Sequence, residues 1–304
     1  MSAVPIHRFP FIFFSEGVRL SGTLHRNVAD LLTPQPTIVV SGSWLTVKEQ
    51  MADGYARELA IRGYSAFTFD FTGFGQSDGS PRQAEIPTRK LADISAAVRF
   101  VATLSCVQGS VGYLAICASA QYVLAALAGG APIGALVSVA GWFHDAPSIA
   151  PFYGGPEGVQ RRLSIGQRAL EAYVHDGELL KAPAFANGDE RAGMYFPLDY
   201  YANRSRGAIA EWKNEMSEIT WLYWLTFDGM RSARAVSTPT LLIHGDGCAL
   251  PDNARRVYEE LRGPKDLLWM DGAQVDFYDQ APLVSASVEA ADRHFRRALF
   301  GAHA

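Results

Sequence analysis

The residues between Phe100 and Phe143 include no aspartate, glutamate, lysine or arginine. A stretch of this length without charge belongs in an apolar environment, either a bilayer or the centre of a folded protein. Gly109-Ser110, Gly129-Gly130 and Pro132 divide it into pieces shorter than the ~20 apolar residues that a membrane-spanning helix needs. Parallel strands buried on both faces, with a helix packed between them, produce such a run. We therefore expect this stretch to form the centre of a parallel sheet.

The segments around this run alternate between strand-like and helix-like patterns. Eight short segments are predicted as strands: 9–14, 18–25, 37–40, 64–71, 111–116, 133–140, 238–244 and 266–270. Helices are predicted at 49–62, 90–104, 118–127, 252–261 and 284–299. Strands that alternate with helices are typical of βαβ units, so we predict an α/β protein with a mostly parallel eight-stranded sheet flanked by helices. The first two strands are expected to form a hairpin at one edge.

The alternation stops after the sixth predicted strand and resumes near residue 238. The sequence from 147 to 235 is helical in pattern and rich in aromatic residues, among them Tyr201, Trp212 and Trp224. An insertion at this point is expected to form a helical cap over the end of the sheet. We therefore predict one continuous structural domain, with an α/β core of 1–146 and 236–304 and a cap of 147–235.

Composition limits the environment and the partners of the chain. Its 304 residues are 48% hydrophobic and 19% charged, which is ordinary for a soluble globular protein. The formal charge of −4 provides no electrostatic reason to bind nucleic acid or an anionic membrane. The three cysteines, Cys106, Cys117 and Cys248, form no CxxC pair, and the histidines form no HxxxH pair. We expect a soluble cytoplasmic protein without a disulfide framework or a metal site.

Cys117 stands where the fifth predicted strand passes into a helix. A strand that turns abruptly into a helix needs small residues two positions before and after the turning residue, and Ala115 and Ser119 meet that need. The turn would hold Cys117 at a helix N-terminus, where free amides and the helix dipole favour a thiolate. We therefore predict that Cys117 is a nucleophile with a lowered pKa. The alternative is a buried structural cysteine.

Motifs along most of the chain resemble one superfamily. The Cys117 turn has the spacing of the GxSxG nucleophile elbow. The segment from Asp70 to Gly79 is a form of a D-x-x-G-x-G-x-S turn, and Asp276-Phe277-Tyr278-Asp279 follows near the C-terminus. In these features the chain resembles the α/β-hydrolase superfamily, most closely its dienelactone-hydrolase-like and peptidase-S15-like branches, with a cysteine at the elbow. The resemblance implies the α/β-hydrolase fold, with the cap inserted after strand 6.

The resemblance also implies an oxyanion hole made of two backbone amides. One donor would be the amide of Ala118, directly after the nucleophile, and the other that of Ser43 or Trp44 in the loop after the third strand. Trp44 also fits a role as a wall of the substrate pocket, and Trp224 of the cap is expected to line the same pocket.

The other members of the family's catalytic triad are missing from their usual positions. Cys248 takes the place of the acid after the seventh strand, with Asp246 and Asp252 nearby as substitutes. Gln274 takes the place of the histidine. Glutamine cannot act as a general base at neutral pH, although its hydrogen bonds can orient a substrate or the thiol.

His144 is the alternative candidate for the base. It follows the sixth predicted strand, which neighbours the fifth in this fold, and Asp145 beside it is the candidate for its orienting acid. A structural role for His144 at the strand end or the cap hinge is equally compatible with this position. The sequence leaves both readings open.

We predict an α/β-hydrolase-type enzyme that acts on the carbonyl of a small hydrophobic ester, thioester or lactone. Cys117 would attack, and hydrolysis or acyl transfer would follow. The alternatives are a catalytically lapsed protein that binds a small molecule, and a lyase or cyclase that uses the oxyanion hole without an acyl-enzyme. No cofactor is expected, because the GxGxxG pattern of a dinucleotide site is absent. The predicted partner is a small-molecule substrate rather than nucleic acid or a membrane, and a homodimer is left open.

Overall fold

The structure, a computed structural model, describes residues 4–301. Its strands in chain order are β1 (His7–Ser15), β2 (Val18–Arg26), β3 (Gln35–Ser41), β4 (Ser65–Phe69), β5 (Val107–Ile116), β6 (Ala135–Val139), β7 (Lys181–Ala182), β8 (Met216–Ser217), β9 (Thr240–His244) and β10 (Lys265–Trp269). Eight of them form one sheet in the order β1-β2-β4-β3-β5-β6-β9-β10, and the short strands β7 and β8 pair separately.

The sheet is mostly parallel, as predicted. Strand β1 pairs antiparallel with β2, and β2 pairs antiparallel with β4. All pairs from β4 to β10 are parallel. The predicted mostly parallel eight-stranded sheet is confirmed, and so is the predicted hairpin at its edge.

Strand β5 begins four residues before its predicted start. Residues 107–110 are polar or exposed for the most part, so their pattern does not indicate a buried strand. Val107 and Gln108 nevertheless pair with Gln35 and Pro36 of β3, on the far side of a register shift between Pro36 and Ile38. Pairing with a neighbouring strand, rather than burial, extends β5.

The helices cover both faces of the sheet and fill the segment between β6 and β9. In chain order they are α1 (Met51–Ile61), α2 (Pro87–Ala102), α3 (Ser119–Ala128), α4 (Ala146–Ile149), α5 (Gly155–Asp176), α6 (Asp199–Ala202), α7 (Thr220–Trp224), α8 (Pro251–Glu260), α9 (Asp276–Asp279) and α10 (Ala281–Phe300). Two 3₁₀ helices, Ala150–Tyr153 and Met230–Ala235, also lie between β6 and β9. Within residues 4–301, no helix combines the length and apolar character that crossing a membrane requires.

Burial explains the long uncharged run in the sequence. Strand β6 is buried at all five positions, and the last six residues of β5 are buried as well. Helix α3 between them is buried at seven of its ten residues, so it has almost no face for charged side chains. Helix α10 is amphipathic instead, because it buries one face through Val284, Val288, Ala291 and Phe295.

The register of the central strands brings four loops together at one edge of the sheet. Ser41 at the end of β3 lies opposite Ala115 of β5, and Ile116 lies opposite Val139 of β6. The loops after β3, β5, β6 and β9 therefore begin side by side at the carboxyl ends of parallel strands, where ligands bind in open α/β sheets.

A buried ion pair holds the loop after β3. Glu85 and Lys90 are 0% and 2% exposed, and the Lys90 ammonium lies 2.9 Å from Glu85 Oε1. Glu85 also accepts hydrogen bonds from the Tyr122 hydroxyl at 2.9 Å and from the Leu45 amide at 3.4 Å. The carboxylate thereby connects helix α3 to the residue after Trp44.

We expect Lys90→Met to lower the free energy of unfolding by about 3–5 kcal/mol, because it leaves the Glu85 carboxylate buried without a counter-ion. The double variant Glu85→Gln/Lys90→Met removes that charge and should recover part of the loss. Urea denaturation of the three proteins measures both effects. A double variant less stable than Lys90→Met would contradict this account.

Candidate active site

The backbone of Cys117 has a positive φ of 57° between β5 and α3. A residue with a side chain rarely adopts this conformation, so the surrounding structure must hold it. Its amide donates to the Val139 carbonyl at 3.1 Å, and its carbonyl accepts from the Trp142 and Ala120 amides at 2.9 and 3.0 Å. The end of β6 and the start of α3 thus hold the turn on both sides.

Ser119 has a specific function in the turn beyond its small size. Its hydroxyl oxygen accepts from the Ile116 amide at 3.0 Å and lies 3.1 Å from the Ser41 carbonyl, which it can reach as a donor. Ala115 is fully buried on the other side of the turn. These residues join the end of β5 to the end of β3, where the loop that bears Trp44 begins.

Two backbone amides face the sulfur of Cys117. The amides of Ala118 and Trp44 lie close enough to the thiol to lower its pKa. Within residues 4–301, neither amide donates to another backbone carbonyl outside regular secondary structure. Trp44 rather than Ser43 therefore provides the second amide, and Ser43 contributes its side-chain hydroxyl. This pair has the arrangement of an oxyanion hole.

The loop that bears Trp44 is fastened by groups outside the sheet. The indole N–H of Trp212 donates to the Leu45 carbonyl at 2.8 Å, and the Gln50 side chain donates to the Gly207 carbonyl at 2.7 Å. Leu45 itself has a positive φ of 57°. The segment between β6 and β9 therefore helps to position the Trp44 amide.

Burial dominates the acidity of the thiol. Cys117 is 5% exposed, and this desolvation raises its pKa above the ordinary value. Hydrogen bonds from the Ser43 and Tyr278 hydroxyls and from the Ala118 and Trp44 amides lower the pKa by less than burial raises it. The predicted lowering of the Cys117 pKa is thus not what the structure supports, because the sequence could not account for the apolar surroundings.

A cavity of about 320 Å³ lies above Cys117. Its walls combine aromatic and aliphatic side chains from the inserted segment with residues from the loops after β3, β5, β6, β9 and β10. The lining residues are Ser43, Trp44, Cys117, Trp142, Phe152, Tyr153, Met194, Phe196, Leu198, Tyr201, Trp224, Gly247, Cys248, Ala249, Leu250, Gln274, Val275 and Tyr278. None of them is a histidine, a carboxylate, a lysine or an arginine.

Gln274 lies in this cavity wall with all of its amide groups engaged. Its Oε1 accepts from the Ala249 amide at 2.9 Å, while its Nε2 donates to the Ala140 carbonyl at 2.8 Å and to the Tyr278 hydroxyl at 3.1 Å. Gln274 therefore bridges the loops after β6 and β9 and orients Tyr278. Trp224, also predicted to line the pocket, does line the cavity, and its ring stacks on that of Trp44 with the ring centroids 4.4 Å apart.

His144 does not take the role of a base for Cys117. It is fully buried, and its Nδ1 accepts from the Trp142 indole N–H at 2.9 Å. Its Nε2 then carries the hydrogen and donates to the Trp224 carbonyl at 2.8 Å. Burial lowers the His144 pKa to about 4. Both ring nitrogens are engaged and the ring is not part of the cavity wall, so His144 is not placed to take a proton from Cys117.

Asp145 and Asp246 also have partners away from the thiol. Asp145 caps α4 by accepting from the Ser148 amide at 3.1 Å and pairs with Arg256 at 2.6 Å. Its pKa is lowered to about 2, chiefly by hydrogen bonds from Ser148 and Arg256 that outweigh its desolvation. The Asp246 side chain is 74% exposed and pairs with Arg255. Neither lines the cavity, because the backbone directs both toward the arginines of α8.

The hydroxyls of Tyr201 and Tyr278 were not predicted from the sequence as parts of the site. Tyr278 contributes a hydroxyl beside the thiol, and the buried Tyr201 hydroxyl lies beside Ser43 and Tyr278. One signal was present for Tyr278, because it lies only four residues after Gln274, the residue at the family's histidine position. Cys248, noted in the sequence only as the residue at the position of the family's acid, also lies in the cavity wall.

Alkylation of Cys117 by iodoacetamide is expected to keep accelerating above the ordinary thiol pKa of 9.0. The raised pKa means that the reactive thiolate is still accumulating in that range. Peptide mass mapping between about pH 6 and pH 11 measures the rate at Cys117 separately from the other two cysteines. A rate that has levelled off by about pH 8 would contradict the raised pKa.

Acid should destabilise the fold as the pH falls from about 6.5 toward 4. His144 has its ordinary pKa in the unfolded chain but a pKa of about 4 in the fold, so the unfolded state binds the proton first. In His144→Gln this part of the acid sensitivity should disappear, and His175→Gln at an exposed position is the control. Thermal melts across this range measure the dependence of the melting temperature on pH. If both variants keep the wild-type dependence, the assignment to His144 is wrong.

Similarity searches identify relatives but no family model matches the chain. The uncharacterized protein PA2218 of Pseudomonas aeruginosa is 28% identical over 272 residues, which cover 83% of this chain and 72% of the relative. Polyketide transferase claH of Penicillium crustosum is 30% identical over 115 residues, or 37% of each protein.

Solved structures match nearly the full length. The crystal structure of PA2218 has a TM-score of 0.81 and 24% identity, and the match covers 96% of this chain and 95% of that one. The crystal structure of the alpha/beta hydrolase GrgF from Penicillium sp. sh18 has a TM-score of 0.81 and 19% identity, with 97% and 99% covered. Together with the sheet order and the turn at Cys117, these likenesses show that the chain has the α/β-hydrolase fold.

Proposed function

We propose that the protein is an enzyme that acts on the carbonyl of a small hydrophobic ester, thioester or lactone. Cys117 is the nucleophile, and the acyl group then passes to water or to another acceptor. The observation that carries this proposal is the strained turn of Cys117 opposite the amides of Trp44 and Ala118. A cysteine held at a positive φ beside two converging donors has a clear use in acyl chemistry and little use in packing.

The first chemical step requires only groups that surround the thiol. The Cys117 sulfur, as thiolate, attacks the carbonyl carbon, and the carbonyl electrons move onto oxygen. The amides of Trp44 and Ala118 donate to this oxyanion, and each such donor lowers the activation free energy of the step by roughly 3–4 kcal/mol. Collapse of the intermediate breaks the bond to the leaving alcohol or thiol, which takes up the proton that Cys117 lost.

The cavity wall supports a hydrophobic substrate of limited size. At about 320 Å³ the cavity is at the small end of ligand pockets, and most of its wall is apolar. Three tryptophans form an aromatic group: the ring centroid of Trp224 lies 4.4 Å from that of Trp44 and 5.9 Å from that of Trp142. Because residues of 147–235 complete this wall, we propose that this segment acts as the cap of the site.

The names of two relatives agree with this reaction class. GrgF is described as an alpha/beta hydrolase and claH as a polyketide transferase. Transfer and hydrolysis share an acyl-enzyme and differ only in the acceptor. The proposal therefore includes both hydrolysis and acyl transfer. The turn at Cys117 corresponds, in this proposal, to the nucleophile elbow of the dienelactone-hydrolase-like branch.

A second candidate function is small-molecule binding without turnover. Gln274 favours it, because a residue bound to Ala140, Ala249 and Tyr278 cannot replace a general base. In that case the cavity would hold a ligand, and Cys117 would remain unmodified.

Incubation with an activated aryl ester, followed by intact-mass measurement, separates the two functions. We expect an acyl adduct on the wild-type protein, no adduct on Cys117→Ala, and loss of about a thousand-fold or more of any turnover in that variant. Cys106→Ala is the matched control, because Cys106 is buried outside the cavity. Full turnover in Cys117→Ala would contradict the mechanism. Ligand-dependent melting shifts without an adduct would favour the binding function.

A further inference from the structure

The amide of Gln274 has one possible orientation. Its oxygen must face the Ala249 N–H, which can only donate, and its nitrogen must face the Ala140 carbonyl, which can only accept. One amide hydrogen goes to Ala140 and the other to the Tyr278 oxygen at 3.1 Å. Gln274 is therefore a donor to Tyr278. Exchanging its oxygen and nitrogen would bring two donors together at the Ala249 amide and two acceptors together at the Ala140 carbonyl.

This orientation directs the hydrogen of Tyr278. Since the Tyr278 oxygen accepts from Gln274, its own hydrogen remains free to donate to a neighbour. Cys117 and Tyr278 line the same cavity, and the thiol and the hydroxyl are close enough for each to shift the pKa of the other. A Tyr278 hydrogen directed at the sulfur would stabilise a thiolate or a departing sulfur.

The same wall contains nothing that could activate water. Its lining includes no histidine, carboxylate or amine, and His144 is bound to Trp142 and Trp224 outside it. Water and alcohols need a base before they attack an acyl group, and amines are mostly protonated near neutral pH. A thiol is partly thiolate there already and needs no base.

We propose that Tyr278 is a catalytic residue that donates to the Cys117 sulfur, that Gln274 is its positioning residue, and that the acyl group passes to a small thiol rather than to water. The assignment of the acceptor rests on the function proposed above. In the transfer, the acceptor sulfur forms a bond to the acyl carbon and the bond from that carbon to the Cys117 sulfur breaks. The acceptor loses its proton and Cys117 regains one, so an acyl-cysteine and a thiol yield a new thioester and a free cysteine.

The role of Tyr278 is tested by the pH profile of Cys117 alkylation. Loss of a hydrogen bond to a charged group is worth about one pKa unit or more, so Tyr278→Phe should slow alkylation about ten-fold at a pH below the midpoint. Gln274→Leu, which leaves the hydroxyl but not its orientation, should produce part of this shift. Tyr200→Phe is the matched control, because Tyr200 packs against Tyr278 at 5.1 Å outside the cavity wall.

The choice of acceptor is tested on the acyl-enzyme formed with 4-nitrophenyl butyrate. N-acetylcysteamine should discharge the wild-type adduct far faster than buffer does. Gln274→His introduces a base at this position and should accelerate discharge by water about a hundred-fold. Circular dichroism establishes that each variant is folded before its rates are compared.

The outcomes separate this inference from the function on which it rests. An alkylation midpoint that is the same in Tyr278→Phe and Tyr200→Phe overturns the role of Tyr278. A wild-type adduct that buffer removes as fast as the thiol overturns the choice of acceptor. A shifted midpoint in Tyr278→Phe without any adduct on the wild-type protein supports the donor role of Tyr278 and rejects the acyl-enzyme.

Discussion

The turn at Cys117 is the constraint on which the rest of the site depends. A side chain at φ 57° is unfavourable by itself, so strands on both sides must hold the turn in place. The Val139 carbonyl accepts a hydrogen bond from the Cys117 amide, and the Trp142 amide donates to the Cys117 carbonyl. Ser119 connects the adjoining strand to Ser41. These bonds place the thiol directly beside the loop after β3. The positions of the Cys117 thiol and of the Trp44 and Ala118 amides are consequences of one sheet register.

Similar strain recurs around the cavity. Leu45, Ala140 and Leu250 also have positive φ values, at 57°, 44° and 53°. Leu45 follows Trp44, which lines the cavity, the Ala140 carbonyl accepts from Gln274, and Leu250 lines the cavity. Folded proteins concentrate such conformations at functional sites, because the geometry required there cannot be reached with relaxed backbone. The buried pair of Glu85 and Lys90 contributes to this restraint through the Leu45 amide.

Desolvation and hydrogen bonding act on the thiol in opposite directions, and desolvation is the larger effect. An apolar cavity disfavours the thiolate but strengthens each hydrogen bond that the thiolate or an oxyanion accepts. The site is therefore suited to stabilising charge that forms during a reaction rather than charge present at rest. Gln274 fits this design because it orients a donor without adding a charge of its own.

The sequence by itself determined the architecture, because burial and strand order leave marks that survive in one dimension. The uncharged run predicted the central strands and α3, and the small residues at Ala115 and Ser119 predicted the turn at Cys117. Only the tertiary structure decided the partners of that cysteine. His144 follows β6 by a few residues but faces Trp142 and Trp224, whereas Tyr278, distant in sequence, lines the cavity together with Cys117. The direction of a side chain and the desolvation of a thiol depend on atoms from several loops, and no local pattern records them.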